Sequence, residues 1–355
     1  VRISMLESEA RKRNFSRIEE MLGVVRQAGA QDEVHASGLI RLMSVWPEPA
    51  KERVLLDVLR NGGPLVRAAA AEALMPPLSA GAVDALVASA QDPVRLVRIK
   101  AASTLLRHFS AAVPADLARP LAKARGEYIS SLMVRPDLWS SHVAMGTYFL
   151  EQKDAKSALL SFRAASKIDP SAVEPHVNAS IAHAVLGDQD AAESELKEAL
   201  RLDPHNAAAL FNMGLLRNQQ ARPDEAVSYF KEAIRRDPFM AQAAYNIAVT
   251  LSGKSPREAA LWAKRAYETF PDAKNGYTLA YYLKQDGDWD GAVSVLNALT
   301  TKYPSNVDAY LLLGEIHEKR GNPLEARKVY RKALDAPGIP AMERVKIEKR
   351  LKKLE

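Results

Sequence analysis

The stretch SAVEPHVNASIAHAVLGDQDAAESELKEALRLDP (171–204), laid over HNAAALFNMGLLRNQQARPDEAVSYFKEAIRRDP (205–238), decides the fold. The two are 34 residues each, and they agree place by place in residue size: Ser180 with Gly214, Ala192 with Ala226, Leu196 with Phe230, Pro204 with Pro238. The stride extends outward in both directions. A small residue recurs at Gly146, Ser180, Gly214, Ala248, Ala280 and Gly314, an alanine at Ala158, Ala192, Ala226, Ala259, Ala292 and Ala326. Behind the alanine come Phe162, Leu196, Phe230, Ala263, Leu296 and Tyr330. Two antiparallel helices approach closely only where a side chain is missing, so a small residue on one must face a large residue on the other. Pro170, Pro204, Pro238, Pro271 and Pro304 close the units, since proline lacks a donor and disfavours helix in the residue before it. Gly187-Asp188, Gly287-Asp288 and Gly321-Asn322 supply the turn within a pair.

A period near 34 built in this way resembles the tetratricopeptide repeat, and six units are expected over 135–338. The fourth and fifth depart in spacing, and Ala263 replaces a large side chain, which reads as a local tightening. After Ala336-Pro337-Gly338, residues 339–355 read as one amphipathic helix capping the apolar end face, a role that accounts for its six basic residues.

Upstream the period becomes 31: the segment from Leu65 to Leu74 aligns with the segment from Leu96 to Leu105, the second preceded by Asp92-Pro93. A weaker copy runs from Glu33 to Val45. These segments resemble the short HEAT-like repeat, giving about three pairs over 32–134 behind capping helices at 1–31. The resemblance implies that Arg67 and Arg98 bond to acids and carbonyls of adjacent units and are not ligand hooks. No Gly/Ser linker separates this part from the first 34-residue helix at Leu138, so the join is expected to be rigid. The fold class is all-α, an alpha-solenoid of HEAT-like pairs followed by a tetratricopeptide right-handed superhelix with a C-terminal capping helix.

Composition agrees with a folded helical chain: 355 residues, 47% apolar and 26% charged, with few aromatics. The absence of cysteine removes thiol nucleophiles, thiolate metal sites, disulfides and covalent haem attachment within these residues. No apolar run approaches the roughly 20 residues of a membrane span, and Val1 in place of methionine reads as a processed or fragment start. The charge of +6 is uneven: residues 1–136 hold 19 Lys and Arg against 14 Asp and Glu, and residues 339–355 hold 6 against 3. The charges are scattered along helices, so a solvated face is expected in preference to a nucleic-acid footprint.

Chemistry-bearing motifs are missing. The seven histidines, at 35, 108, 142, 176, 183, 205 and 317, have no metal-binding spacing. There is no phosphate-binding glycine loop and no nucleophile elbow. Neither catalytic residues nor a cofactor are expected. In tetratricopeptide proteins the first helix of each unit lines the inner side, and there Asn178, Asn212 and Asn246 stand one period apart. Such a row is similar to the asparagine ladder of the O-linked N-acetylglucosamine transferase superhelix, in which side-chain amides clamp a peptide backbone. It equally matches an asparagine common to these units. Phe211, Tyr245, Tyr277 and Tyr281 stand beside the row, either as anchors for apolar ligand side chains or as packing between units. Ser140, Glu174, Ala208, Gln242 and Asp308 occupy places where a terminal-carboxylate clamp would want basic residues, which disfavours chaperone-tail binding.

The order of short HEAT-like pairs leading into tetratricopeptide units resembles the C-terminal half of bacterial multihaem cytochrome c proteins. It rests on Val66-Arg67-Ala68-Ala69-Ala70, Asp92-Pro93-Val94-Arg95-Leu96-Val97-Arg98, Gly126-Glu127-Tyr128-Ile129 and Arg135-Pro136-Asp137. That kinship implies a periplasmic or extracellular protein, with haem supplied by a segment outside this sequence or by a partner chain. The leading expectation is a non-catalytic scaffold holding a protein or peptide partner. The alternative is an accessory part of a multihaem electron-transfer assembly, which would co-purify with Soret absorption.

Overall fold

The structure, a computed structural model, describes residues 2–27, 32–110 and 113–354; the expected boundary at residue 31 and the terminal Val1 and Glu355 lie outside them. The described residues form helices and no strand, as the all-α reading requires. The chain divides into two compact units, residues 1–204 and 205–355.

The first unit holds α1 (Arg2–Arg11), α2 (Ile18–Gln27), α3 (Glu33–Met43), α4 (Pro49–Asn61), α5 (Pro64–Ala73), α6 (Ala80–Ser89), α7 (Arg95–Phe109) and α8 (Ala115–Leu132). It continues through α9 (Trp139–Glu151), α10 (Ala155–Ile168), α11 (Val173–Val185) and α12 (Gln189–Leu202). The second holds α13 (Ala207–Gln219), α14 (Pro223–Arg236), α15 (Ala241–Leu251), α16 (Pro256–Thr269) and α17 (Ala273–Asp286). It is completed by α18 (Trp289–Lys302), α19 (Val307–Lys319), α20 (Pro323–Asp335) and α21 (Ala341–Lys352).

In the first unit, the core runs from Leu6 through Met21, Leu39, Leu55 and Leu86 to Leu105 and Ala124. Two arginine brackets tie its helices. Arg67 donates through Nε and Nη2 to the Asp92 carboxylate (2.9 and 3.1 Å) and through Nη1 to the Gly62 carbonyl (2.8 Å). Arg98 grips Glu127 (2.8 and 2.7 Å) and the carbonyls of Asp92 and Pro93 (2.7 and 3.0 Å). These bonds hold both forks against their own neighbours, so neither arginine serves as a ligand hook. Lys51 closes the C-terminal end of α3 and the turn after it, donating to the carbonyls of Met43, Ser44 and Trp46 (3.1, 2.5 and 2.8 Å). Beyond α8 the packing continues without a linker: Tyr128 and Tyr148 meet edge to face at 5.9 Å, and Gln152 donates to the Leu106 carbonyl.

The size rule read from sequence appears as geometry. A Cβ built on Gly146 would lie 2.4 Å from a ring carbon of Phe162; on Gly214, 2.6 Å from Phe230; on Gly314, 2.3 Å from Tyr330. All three rings are fully buried. Where the partner is Leu196 or Leu296, the small residue is Ser180 or Ala280, so the room left by one side chain matches the bulk of the other. At the fourth pair, Ala248 faces Ala263, and Ala259, Ala260 and Ala266 extend a nearly buried alanine face of α16. Trp262 and Tyr267 fill the space around it.

Caps complete the pairs. Asp188, Asn206, Asp288 and Asn306 accept from backbone N–H groups three residues on. A left-handed residue makes the turn in most pairs: Gly187 (φ 80°), Gly287 (φ 89°) and Gly321 (φ 71°) in three of them and Lys153 (φ 62°) in the first, while the turn between α15 and α16 has none. Ala221 sits at the same place with φ 57°, a conformation that crowds a Cβ. Ala221→Gly is therefore expected to stabilise the chain by about 0.5–1 kcal/mol, the relief of strain exceeding the entropy that glycine adds to the unfolded chain. A thermal midpoint that falls in the variant would contradict this.

Candidate functional site

The first helices of the second unit, α13, α15, α17 and α19, repeat one register. Three residues before the small residue stand Phe211, Tyr245, Tyr277 and Leu311; one residue after it stand Leu215, Val249, Tyr281 and Glu315. On α13, α15 and α17 these side chains are large and apolar or aromatic, and none of the six is fully buried; Val249 and Tyr281 are 42% and 39% exposed. The row is partly packed: Phe211, Leu215 and Tyr245 rest against the core around Phe230 and Ile247, and Tyr277 against the core around Leu296, each keeping part of its surface uncovered. The Phe211 ring leans on Phe230 with centroids 5.6 Å apart.

The asparagines are placed as their spacing demands, each the sixth residue of its helix, but they are not alike. Asn246 donates back to the Gln242 carbonyl of its own helix at 2.8 Å. Asn212 is half-buried and its side-chain amide makes no hydrogen bond among the described residues; the same holds for Asn178 on α11 of the first unit. A side-chain amide offers two N–H donors and an oxygen acceptor; Asn212 keeps all of them for a ligand backbone, and Asn246 keeps its oxygen and its second N–H. Another link, Asn218 donating to the Thr250 hydroxyl at 2.8 Å, fixes α13 against α15 along the same side.

Two features lay outside the sequence reading. Lys274 shares the register of Ser140, Glu174, Ala208, Gln242 and Asp308, six residues before Ala280, and its Nζ lies 3.9 Å from the centroid of the Tyr245 ring. The register therefore does carry a cation. The second is α21, read from sequence only as a cap. Its Lys346, Lys349, Arg350 and Lys353 form one wall of a cleft of about 510 Å³ whose other lining is Tyr277, Asp308, Leu311, Leu312 and Glu315. The basic residues were visible as a run; the face they turn toward α19 was not.

Electrostatics in the cleft are partly settled. Burial pushes the Glu315 carboxyl up, but Lys284 (2.7 Å) and Lys319 (2.9 Å) outweigh it and hold it below the usual range. Burial, with help from Asp308 and Glu315, pushes the Tyr277 phenol up, so it stays a neutral donor. Elsewhere the histidines act within the fold: His176 meets Glu195 at 2.7 Å and His142 meets the Pro136 carbonyl at 2.9 Å. Among the described residues no three His, Asp or Glu side chains gather as a metal site, and no helix is long and apolar enough to cross a membrane.

A family model for the tetratricopeptide repeat matches residues 143–207, 177–238, 211–274 and 277–338, more than half of the chain. No curated protein matches. Among solved structures, yeast Tom70 aligns with a TM-score of 0.51 at 14% identity, over 99% of this chain and 80% of its own. The Pseudomonas aeruginosa protein pilF aligns with a TM-score of 0.48 at 19% identity, over 60% of this chain and 97% of its own. YrrB, described as a TPR protein with an unusual peptide-binding site, aligns with a TM-score of 0.44 at 23% identity, over 53% and 97%.

Proposed function

We propose, from the premise that this chain belongs to the tetratricopeptide repeat family, that it is a non-catalytic scaffold whose second unit holds a protein or peptide partner on the first-helix face of α13, α15 and α17. The observation that carries this reading is the partly exposed row of Phe211, Leu215, Tyr245, Val249, Tyr277 and Tyr281, with the Asn212 amide beside it. Aromatic side chains with one wet edge bury much area on binding and lose little rotamer freedom, and a free amide adds a contact to any peptide backbone. Asn246 contributes its carbonyl oxygen. The front of the chain, 32–134, is read as short HEAT-like pairs that brace the scaffold, a reading supported by the two arginine brackets.

The test begins by selecting peptides from a random library on the immobilised full chain. Their affinities are then compared for the native chain and a variant carrying Asn212→Ala, Asn246→Ala and Tyr281→Ala. All three positions are at least partly exposed, so helical content should hold while affinity falls about tenfold or more. Unchanged affinity in a folded variant rejects the face.

A further inference from the structure

We propose that the cleft beneath α21 receives an acidic segment of the partner, in which carboxylates flank an apolar side chain. This rests on the reading of the second unit as a peptide-holding face and specifies the chemistry of what is held.

The argument starts from how α21 is divided. Ile347 is fully buried and packs with Leu351 and Leu354 on Val307, Tyr310, Ala326 and Tyr330, which sets the helix's rotation. Lys346, Lys349, Arg350 and Lys353, spaced three and four apart, then fall together on the side facing the cleft. Solubility alone asks only that charges meet water, and does not ask that four cations share one wall opposite Tyr277, Leu311 and Leu312.

Charge pairing within the protein leaves a surplus. Glu315 is already occupied by Lys284 and Lys319, Lys346 pairs with Glu343 at 2.8 Å, and Arg350 reaches Glu318 at 3.7 Å. Lys349 and Lys353, both exposed, have no acidic partner among the described residues. A ligand that places carboxylates against these ammonium groups and an apolar side chain against Tyr277, Leu311 and Leu312 satisfies both walls. A nucleic acid would meet the cations but leave Leu311 and Leu312 without a counterpart, whereas an apolar side chain between the carboxylates covers them. Three of the cations come from α21 and the fourth, Lys353, from the residue that follows it, so the capping helix and its C-terminal end are half of the binding site.

The experiment measures fluorescence anisotropy on the full chain with three labelled probes: a glutamate-leucine peptide, the same peptide with glutamine for every glutamate, and a single-stranded oligothymidylate. The glutamate peptide should bind about tenfold more tightly than the glutamine one at low salt, with the advantage shrinking as salt rises. Lys349→Glu with Lys353→Glu should remove that advantage while leaving the glutamine peptide unaffected, and Lys349→Arg with Lys353→Arg should keep it. Equal affinity for the two peptides, an undiminished preference in the charge-reversed chain, or tighter binding of the oligonucleotide overturns the proposal. If the library-selected peptides still lose affinity on Asn212→Ala, Asn246→Ala and Tyr281→Ala in that case, the face stands and only the cleft has failed.

Discussion

Gly214→Ala is expected to lower the stability of residues 205–355 by about 1–2 kcal/mol, and Phe230→Leu added to it to restore most of the loss. The added methyl would sit 2.6 and 2.7 Å from two ring carbons of Phe230, which is fully buried and cannot swing aside. Overpacking costs about 1–3 kcal/mol, and against a ring with no room to move the cost falls in the upper part of that range, about 2–3; the better helix propensity of alanine returns about 1 of it. The rescue follows from the chain's own fifth pair, where alanine at Ala280 already lives opposite Leu296. Denaturant unfolding of the single and double variants measures both terms. A neutral or stabilising Gly214→Ala, or a double variant weaker than the sum of its parts, would show that the small-against-large rule is not what spaces these helices.

The second large effect is local. Ile347→Asp is expected to cost about 3–5 kcal/mol at the contact of α21 with the helices beneath it, because a carboxylate replaces an aliphatic side chain in a site without solvent. A single end helix cannot hold against that, so α21 should detach while α13 to α18 stay folded. Hydrogen exchange would show the amides of 341–352 losing protection and those of α13 to α18 keeping it. The preference for the glutamate peptide should vanish with the helix. Protected amides across 341–352 would mean that α21 is held by something other than Ile347, such as the Arg344 bond to the Leu334 carbonyl at 2.7 Å.

Much of the fold was readable because contacts in a repeat array are short in sequence. Gly146 meets Phe162 and Gly314 meets Tyr330 at the same separation of 16 residues, so one stride in the sequence states the packing of every pair but the fourth, where Ala248 and Ala263 stand 15 apart. The helix that carries each candidate residue was readable too: Asn212, Tyr245, Tyr277 and Tyr281 stand on first helices because the register puts them there. The state of each side chain was not. That Asn246 turns back to Gln242, that Lys274 lies over Tyr245 and that Phe211 leans on Phe230 depend on rotamers and on neighbours one repeat away.

The sequence by itself determined the helix pairs, their stride, their turns and the absence of cysteine chemistry, since each follows from residue size, backbone freedom or composition along the chain. Only the tertiary structure decided that Lys51 caps α3, that the compact units part at residue 204, and that the cations of α21 face Tyr277 across a cleft. The physical reason is that a helix outside the 34-residue stride has no register to inherit: which way it turns is set by where its buried residue docks, a contact made in space with partners the local pattern does not name.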